Sequence, residues 1–438
     1  MITVIGGGLA GTEAAWQAAN LGVDVILYEM RPEEPTPAHT SADLAELVCS
    51  NSLGSNLLSS ASGLLKEEMR QLGSILMAAA DETAVPAGSA LAVDRAAFAQ
   101  LVTDRIATHP RITIVREQAR NIPDGICIIA SGPLTSPALA GEIQRLTGAH
   151  DLYFYDAAAP IVTFESLDTT KGYWAGRYGK GGDDYFNCPM SKQEYLCFWE
   201  ALVHAEKHDG HIEEPLRFFE ACVPIEELAS RGAHTMRFGP MRPVGLADPA
   251  TGRRPYAVVQ LRKENREGSL LNLVGFQTRL KWNEQRRVFR MIPGLAEAEF
   301  ARFGVMHRNT FLNAPRVLRP TYQWRQRDTL FFAGQITGVE GYVESAGSGL
   351  IAGRNAARLA KGQSAQFLPT ETMLGALAEY ITTANPAYFQ PMNANFGLLP
   401  SGVDVKDRAQ RKQLLAERSL STLERWQSEV GNTDLSQR

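Results

Sequence analysis

The stretch that decides the fold is residues 1–29, MITVIGGGLAGTEAAWQAANLGVDVILYE. The apolar run Ile2–Ile5 predicts a strand, and the helical spacing of apolar residues over Leu9–Asn20 predicts a helix. Residues 23–29 form a second apolar run that predicts a second strand. A strand, a glycine-rich turn, a helix and a strand in this order are typical of a dinucleotide-binding unit.

The glycines of the turn have the spacing GxGxxG, directly after a strand and at the start of a helix. Gly6 permits the tight turn, Gly8 lets backbone N–H groups approach a pyrophosphate, and Gly11 permits close helix packing. We therefore predict that a diphosphate binds at the turn and the first residues of the helix, namely Gly6, Gly7, Gly8, Leu9, Ala10 and Gly11.

A carboxylate and a distant glycine-rich segment extend this prediction to a whole cofactor. Glu29 ends the second strand, where a carboxylate hydrogen-bonds the ribose hydroxyls of FAD or NAD. Near the end of the chain, residues 331–345 (FFAGQITGVEGYVES) contain Gly334 and lead into a helix with Gly347. A second stretch of backbone beside the cofactor favours FAD, because the flavin and ribityl groups extend beyond the part held by the glycine-rich turn.

The remaining chain predicts an α/β protein with a Rossmann-like FAD-binding domain and an inserted mixed α/β domain. Residues 1–150 form the first part of the FAD-binding domain and residues 151–275 the strand-rich insertion. Residues 276–438 complete the FAD-binding domain and add C-terminal helices. Residues 32–62 are rich in Pro, Ser, Asn, Thr and Gly, which indicates either disorder or a functional loop.

Composition limits the class of partner and the compartment. The net charge is -4, with 44 Lys plus Arg against 48 Asp plus Glu, so composition alone predicts no nucleic-acid binding. Residues 279–290 and 406–418 are locally basic, which suits either phosphate contacts or a solvated helix face. The five cysteines include no CxxC pair and no metal-site spacing, and together with the lack of a leader-like or membrane-spanning segment they indicate a reduced, cytoplasmic location.

Seven sequence motifs carry a resemblance to a known family: residues 4–17 (VIGGGLAGTEAAWQ), 28–32 (YEMRP), 36–40 (TPAHT), 47–56 (LVCSNSLGSN), 186–190 (FNCPM), 306–311 (MHRNTF) and 331–345. Together they resemble the folate- and FAD-dependent tRNA uracil-5-methyltransferases, TrmFO. The matches run from residue 1 to about residue 360, so the resemblance covers most of the chain.

The resemblance implies methylation of the T-loop uracil of tRNA to ribothymidine, with methylenetetrahydrofolate as carbon donor. It also implies that NADH or NADPH reduces the FAD. Arg31 and Gln335 fall in matching motifs and are expected at the cofactor. His307 and Arg308 are candidates for the pterin, and Glu340 and Glu344 are candidates beside the flavin; each also has an ordinary structural interpretation.

The chemistry of such a reaction requires a thiol. Uracil C5 is a poor nucleophile until a thiolate adds at C6 and makes C5 an enolate carbon. Cys222, in residues 218–232 (FFEACVPIEELASRG), resembles the family's nucleophile, and Cys49 resembles its second thiol, although the two roles can be exchanged. Cys127 is expected in the core, and Cys188 and Cys197 are not expected to act in catalysis.

Four other functions remain open from the sequence. A related flavoprotein that modifies the wobble uridine of tRNA, or a relative that acts on a ribosomal RNA uracil, shares the glycine motifs. A small-molecule FAD oxidoreductase would explain the glycines and Glu29 but not the segment around Cys49. A non-catalytic RNA-binding protein would explain neither the complete fingerprint nor the two thiols.

Overall fold

The computed structural model describes residues 1–36, 38–147, 152–157, 159–179, 182–208, 223–265, 267–304, 306–387, 389–400, 402 and 405–436, without the side chains of 152–157, 306–310 and 431–436. The strands are β1 (Ile2–Ile5), β2 (Val25–Tyr28), β3 (Ser52–Ser55), β4 (Ala84–Val85), β5 (Ala90–Val93), β6 (Ile112–Val115), β7 (Ile126–Ile129), β8 (Leu152–Ala157), β9 (Ile161–Thr163), β10 (Tyr173–Trp174), β11 (Tyr185–Met190), β12 (Ala257–Lys263), β13 (Leu270–Leu273), β14 (Phe300–Arg302), β15 (Met306–Phe311), β16 (Gln323–Trp324) and β17 (Arg327–Phe332).

The helices are α1 (Leu9–Asn20), α2 (Ala61–Gln71), α3 (Ile75–Glu82), α4 (Arg95–Thr108), α5 (Pro137–Thr147), α6 (Lys192–Val203), α7 (Ile225–Ser230), α8 (Trp282–Phe289), α9 (Ala314–Val317), α10 (Tyr342–Ala360), α11 (Met373–Thr383) and α12 (Arg408–Ser436). Of the described helices, none has the length and apolar character that a membrane span requires.

The first sheet has the strand order β16-β17-β7-β1-β2-β6, with parallel pairing from β17 to β6 and an antiparallel edge at β16. The strands β1 and β7 are almost wholly apolar and buried, as expected for a parallel sheet covered on both faces. The predicted Rossmann-like fold is therefore confirmed. Because β17 pairs with β7, this sheet combines strands from the N-terminal and the C-terminal parts of the chain.

Helices α1 and α10 bring the two parts of this domain together in an unusually close contact. A Cβ on Gly349 would lie 2.1 Å from the carbonyl oxygen of Ala10, and one on Gly353 would lie 2.4 Å from that of Ala14. Only glycine permits this approach of the two backbones. The N-terminus of α10 is thereby fixed next to the glycine-rich turn before α1.

The second sheet is the insertion and has the strand order β10-β11-β12-β13-β9-β14, antiparallel throughout. With helices α6, α7 and α8 it encloses a separate apolar core. The predicted insertion ends at residue 275, but this core includes Phe289 and Leu295, and β14 pairs with β9 at residues 300–302. We propose that the insertion ends near residue 304.

The described structure also contains two smaller sheets. The two-stranded sheet pairs β8 with β15, with Leu152 opposite Phe311, so the chain enters and leaves the insertion side by side. The three-stranded sheet β3-β5-β4 contains part of the polar segment 32–62. This segment, predicted to be a disordered or functional loop, buries Leu44, Leu47 and Asn51 and contains an ordered strand, so disorder is excluded for its described part.

Candidate active site

A cleft of about 1040 Å³ lies at the carboxyl ends of the parallel strands. Parallel α/β sheets bind their ligands at this edge because the turns after neighbouring strands meet there. The lining comes from the turn after β1, the end of β2, the turn after β7 and the segment between β17 and α10, and it includes Gly6, Gly7, Gly8, Leu9, Ala10, Glu29, Arg31, Val48, Ser131, Gly334, Gln335 and Tyr342.

The three fingerprint glycines differ in what surrounds them. Gly6 has φ +107°, a backbone conformation that side chains rarely adopt. A Cβ on Gly11 would lie 1.8 Å from the carbonyl oxygen of Gly6, so this glycine permits the helix to start directly against the turn. A Cβ on Gly8 would meet no atom within 4 Å, and Gly8 lines the cleft, so its position leaves the space that a diphosphate requires.

Glu29 lines the cleft and is buried, and the strand end holds its carboxylate from both sides. Its Oε2 accepts from the Gly7 N–H at 2.9 Å, and its Oε1 accepts from the Arg31 N–H at 3.0 Å and from Arg31 Nε at 2.9 Å. Burial raises the pKa of Glu29, but these donors and the Arg31 charge outweigh burial, so the pKa is below its ordinary value. The carboxylate is therefore anionic and fixed.

Arg31 links this acid to the polar segment. Its Nη1 donates to Glu46 Oε2 and to the carbonyl oxygen of Ser41, both at 3.2 Å. Glu46 in turn accepts from the backbone N–H groups and hydroxyls of Thr40 and Ser41. The guanidinium of Arg31 thus organises the loop that borders the cleft, in addition to lining it.

The return segment approaches the same cleft from the other side. Gly334 has φ +84° and its N–H donates to Ser348 Oγ at 2.7 Å. Gln335 lines the cleft and donates from Nε2 to Glu340 Oε2 at 3.0 Å. Gly334 and Gln335 thus lie in the cleft, where the sequence predicted a second stretch of backbone beside the cofactor.

Two predicted residues of α10 lie elsewhere. Gly347 is not in the cleft lining, and a Cβ there would lie 2.8 Å from Leu374 Cδ2, so this glycine permits packing of α10 on α11. Glu344 is buried and its Oε1 accepts from the Ala394 N–H at 3.0 Å. Burial raises the pKa of Glu344 above its ordinary value. In both cases helical spacing turned the residue away from the cleft.

Cys49 lies on a loop beside the cleft, whose lining includes the preceding Val48. The hydroxyl of Tyr342, at the start of α10, accepts from the backbone N–H groups of Cys49 at 2.6 Å and Ser50 at 3.1 Å. Tyr342 also lines the cleft. The residue that borders the cofactor space therefore also holds the Cys49 backbone.

Three arginines hold the same loop, and no sequence motif indicated any of them. Arg95 on α4 donates to the carbonyl oxygen of Leu47, and Arg302 on β14 donates to that of Val48 at 2.6 Å. Arg262 on β12 donates from Nη2 to Ser50 Oγ at 2.8 Å and to Asn51 Oδ1 at 2.9 Å. They come from both domains, and such contacts between distant residues leave no local pattern.

Lys66 was also missed. This fully buried lysine of α2 donates to the carbonyl oxygens of Leu53 at 2.7 Å and Ser55 at 2.9 Å, and to Ser62 Oγ at 2.7 Å. Burial lowers the pKa of Lys66 to about 8. It ties β3, which directly follows the Cys49 loop, to the N-terminal part of α2.

The other cysteines and the remaining candidate residues are placed as follows. Cys127 and Cys188 are buried in the first and second cores, and Cys197 is exposed on α6. His307 and Arg308 lie in β15, opposite Asp156 and Tyr155 of β8, without described side chains. Cys222 lies outside the described residues.

Sequence comparison identifies the relatives of this chain. The family described as glucose inhibited division protein A matches residues 1–364. The enzyme named methylenetetrahydrofolate–tRNA-(uracil-5-)-methyltransferase TrmFO of Heliobacterium modesticaldum is 61% identical over 430 residues, 98% of either chain. The enzyme of the same name from Brevibacillus brevis is 58% identical, over 98% of this chain and 99% of its own.

The chain belongs to the TrmFO family. The resemblance drawn from the motifs is thereby confirmed. Among solved structures, GidA of Aquifex aeolicus matches with a TM-score of 0.69 at 17% identity, over 98% of this chain and 76% of its own. At that identity the match supports the fold alone. It shows that this TrmFO family member shares its fold with GidA.

Proposed function

We propose that this protein methylates C5 of the T-loop uracil in tRNA, with methylenetetrahydrofolate as the carbon donor and FAD as the bound redox cofactor. The observation that carries the proposal is full-length identity of 61% to a relative named for this activity, in a chain whose dinucleotide cleft borders a cysteine loop. A tRNA substrate agrees with a cytoplasmic location, which we also propose.

The cleft fits FAD by three features of this chain. The space beside Gly8 admits a diphosphate next to the N-terminus of α1, whose partial positive charge favours anions. The fixed carboxylate of Glu29 suits ribose hydroxyls. Gly334 and Gln335 bring a second stretch of backbone to the same cleft. When bound and reduced, by NADH or NADPH, FAD supplies the hydride that completes the methyl group.

The thiols of this chain supply the remaining chemistry in our proposal. Cys222 adds to uracil C6, which makes C5 nucleophilic towards the folate methylene group, and it leaves after the C5 proton has been removed. Cys49 is the second thiol at the cleft, and the reverse assignment of the two thiols is the alternative. His307 and Arg308 are proposed to contact the pterin.

A general base must remove the C5 proton. Glu340 is the better candidate of the two acids, because its carboxylate contacts Gln335 of the cleft lining. Glu344 instead binds the Ala394 N–H. We propose Glu340 for a role beside the flavin and Glu344 for positioning residues 392–395.

RNA phosphates are proposed to contact the basic helix α8. Its cations are partly neutralised, since Arg287 pairs with Glu284 at 2.6 Å and Lys281 with Glu206 at 2.8 Å. The helix also presents Trp282, which is 55% exposed and parallel to the ring of Phe303. An exposed aromatic ring beside cations is suited to stacking with a nucleobase.

The deciding experiment incubates flavin-loaded protein with a tRNA transcript, labelled methylenetetrahydrofolate, and NADH or NADPH. We expect label in 5-methyluridine of the T-loop, identified by mass analysis of nucleosides and fragments. Cys222→Ala should abolish methylation and leave flavin reduction intact, and the matched control Cys197→Ala should retain both. Label in the wobble uridine would redirect the substrate, and flavin turnover without RNA product would contradict the proposal.

A further inference from the structure

The loop around Cys49 is held by side chains on both sides of the cysteine. The carbonyl oxygens of Leu47 and Val48 before it accept from Arg95 and Arg302. The N–H groups of Cys49 and Ser50 donate to the Tyr342 hydroxyl. Four consecutive backbone groups are thus held by three different side chains, so the position of the Cys49 backbone is set by its surroundings.

Asn51, which follows Ser50 in the loop, is also held by several hydrogen bonds. Asn51 is fully buried, and its Oδ1 accepts from Arg262 Nε at 3.0 Å and Nη2 at 2.9 Å. Its Nδ2 donates to the carbonyl oxygens of Val93 at 2.9 Å and Lys263 at 3.0 Å. Val93 belongs to the first domain and Lys263 to the insertion, so the loop lies in the junction of the domains.

The charges around this loop are unbalanced. The charged or titratable side chains that the described structure places against it are Arg95 of α4, Arg262 of β12, Arg302 of β14, Glu264 after β12, and Tyr342 of α10. Burial raises the pKa of Tyr342, which keeps the phenol neutral. Among these side chains, three guanidiniums therefore face a single carboxylate.

The carboxylate is already occupied by one of the arginines. Glu264 Oε1 pairs with Arg95 Nε at 2.5 Å, and their side chains are 4% and 14% exposed. Burial, and then the charge of Arg95, lower the pKa of Arg302, while Tyr342, Glu264 and Cys49 act in the opposite direction. The Arg302 guanidinium binds the carbonyl oxygen of Val48, the residue directly before Cys49, so its charge lies next to the cysteine in the loop.

We propose that Arg302 is a positioning residue for Cys49: it holds the loop through the Val48 carbonyl oxygen and stabilises the sulfur as a thiolate. A buried positive charge without a carboxylate partner is costly, and an adjacent thiolate lowers that cost. Because β14 belongs to the insertion, the reactivity of a thiol in the first domain depends on the placement of the second. This inference rests on the proposed function only for its role in methylation.

The test measures alkylation of each cysteine by iodoacetamide in the full-length, flavin-loaded protein, by peptide mass spectrometry across a range of pH. Alkylation follows the thiolate fraction. In Arg302→Met we expect Cys49 alkylation near neutral pH to slow about tenfold and its pH midpoint to rise by about one unit. Arg302→Lys, which keeps the charge, should lie closer to wild type.

The protein carries its own controls. Exposed Cys197 reports reagent reactivity, and buried Cys188 reports whether the insertion remains folded. Arg290→Met is the matched variant, because Arg290 also donates to a backbone carbonyl oxygen within the insertion, that of Ala298. It should leave the Cys49 profile unchanged.

An unchanged rate and pH midpoint at Cys49 in Arg302→Met would overturn the inference. If Cys188 becomes reactive in that variant, Arg302→Lys and Arg302→Gln decide, since both retain a donor for Val48. If Cys49 is alkylated more slowly in Arg302→Gln than in Arg302→Lys, the result supports the inference. Equal Cys49 alkylation rates in these two variants overturn it. No RNA or folate is present in this assay, so its result is independent of whether the wild-type protein methylates tRNA.

Discussion

At the scale of single residues, the fingerprint glycines perform separable tasks. Gly8→Ala introduces a methyl group that meets no protein atom but points into the cleft, so we expect a folded protein with reduced flavin content. Gly11→Ala places a methyl group against the Gly6 carbonyl oxygen and should destabilise the protein itself. Flavin absorbance per protein and the thermal midpoint of the apoprotein distinguish the two variants. Equal midpoints for the Gly8→Ala and Gly11→Ala apoproteins would contradict these separate roles.

Tyr342 offers a second test at this scale. Tyr342→Phe removes the acceptor for two backbone N–H groups, at a cost of about 1–3 kcal/mol for the groups left unpaired. We expect amide hydrogen exchange of Cys49 and Ser50 to accelerate at least tenfold. Tyr173→Phe is the matched control, because the Tyr173 hydroxyl is buried without a hydrogen-bond partner in the described structure. Unchanged exchange in Tyr342→Phe would show that the arginines alone hold the loop.

The sequence predicted those residues whose role follows from neighbours in the chain. The turn from Gly6 to Gly11 and the acid Glu29 lie in the cleft because strand, turn and helix fix their positions locally. Arg302 and Lys66 could not be predicted, since each acts through contacts with residues far away in sequence. Gly347 was assigned to the cofactor because a glycine that packs helices looks the same in a sequence as one that faces a ligand.

At the scale of elements, two buried carboxylates bind the N-termini of neighbouring helices. Glu13 of α1 accepts from Ser74 Oγ at 2.6 Å and the Leu76 N–H at 3.3 Å, at the start of α3. Glu68 of α2 accepts from the N–H groups of Met373 and Leu374, at the start of α11, and from Ser419 of α12. These contacts tie the helices around the first sheet to one another.

The same carboxylates predict how stability depends on pH. Burial, opposed by hydrogen bonds, raises the pKa of Glu13 and of Glu68 from 4.5 to about 7. Each contribution to stability is complete below the unfolded pKa and is lost as pH rises through the folded pKa. We expect the free energy of unfolding to fall between pH 5 and 8, by up to about 3 kcal/mol per group.

Glutamine substitution isolates this effect. Glu68→Gln and Glu13→Gln cannot ionise, so the difference in thermal midpoint between pH 5 and pH 8 should shrink in each variant and most in the double variant. Glu379→Gln, on the surface of α11, is the control. A pH dependence that the double variant leaves intact would assign the effect to other groups.

Helix α8 gives a prediction for RNA binding. The ring of Phe303 is parallel to Trp282 at 5.5 Å and to Phe300 at 5.2 Å, and Arg286 lies 4.6 Å from the centre of the Phe303 ring. If a base stacks on Trp282, Trp282→Ala should weaken tRNA binding about tenfold, and Trp282→Phe much less. Fluorescence anisotropy with a labelled T-arm hairpin measures this, with exposed Phe238→Ala as the control. Equal affinities would remove α8 from the RNA surface.

Most helices and strands of the first domain were predictable because their apolar periodicity is strong. Residues 95–107 have a sequence pattern that predicts a helix, and α4 is found there, Arg95–Thr108. Residues 112–116 form an apolar run that predicts a strand, and β6 is found there, Ile112–Val115. The polar segment 32–62 was ambiguous because its order depends on Glu46, Asn51 and Lys66, which bind backbone groups instead of following a periodic pattern.

At the scale of the whole molecule, the two cores are separate, and in the described structure each contains one buried cysteine, Cys127 or Cys188. A ligand that binds only the folded state stabilises the domain that holds it. We therefore expect FAD to raise strongly the temperature at which Cys127 becomes exposed, and to raise that of Cys188 weakly. Thiol labelling of each cysteine during heating measures this exposure. Equal increases would show that the domains unfold as one unit.

The end of the insertion illustrates what a sequence does not show at this scale. The predicted boundary at residue 275 followed a change in composition, whereas β14 returns to the second sheet at residues 300–302. A short strand at a sheet edge carries little pattern of its own. Its placement matters, because the same strand delivers Arg302 to the Cys49 loop.

The paired strands β8 and β15, with Leu152 directly opposite Phe311, carry a consequence for recombination. Both splice points of the insertion lie next to each other, so a gene fragment encoding it could be exchanged for that of a relative without lengthening either connection. A tight turn that joins β8 directly to β15 would replace the insertion and leave the first domain as one continuous chain. Chimaeras joined at β8 and β15 would therefore show whether the insertion or the first domain determines RNA specificity.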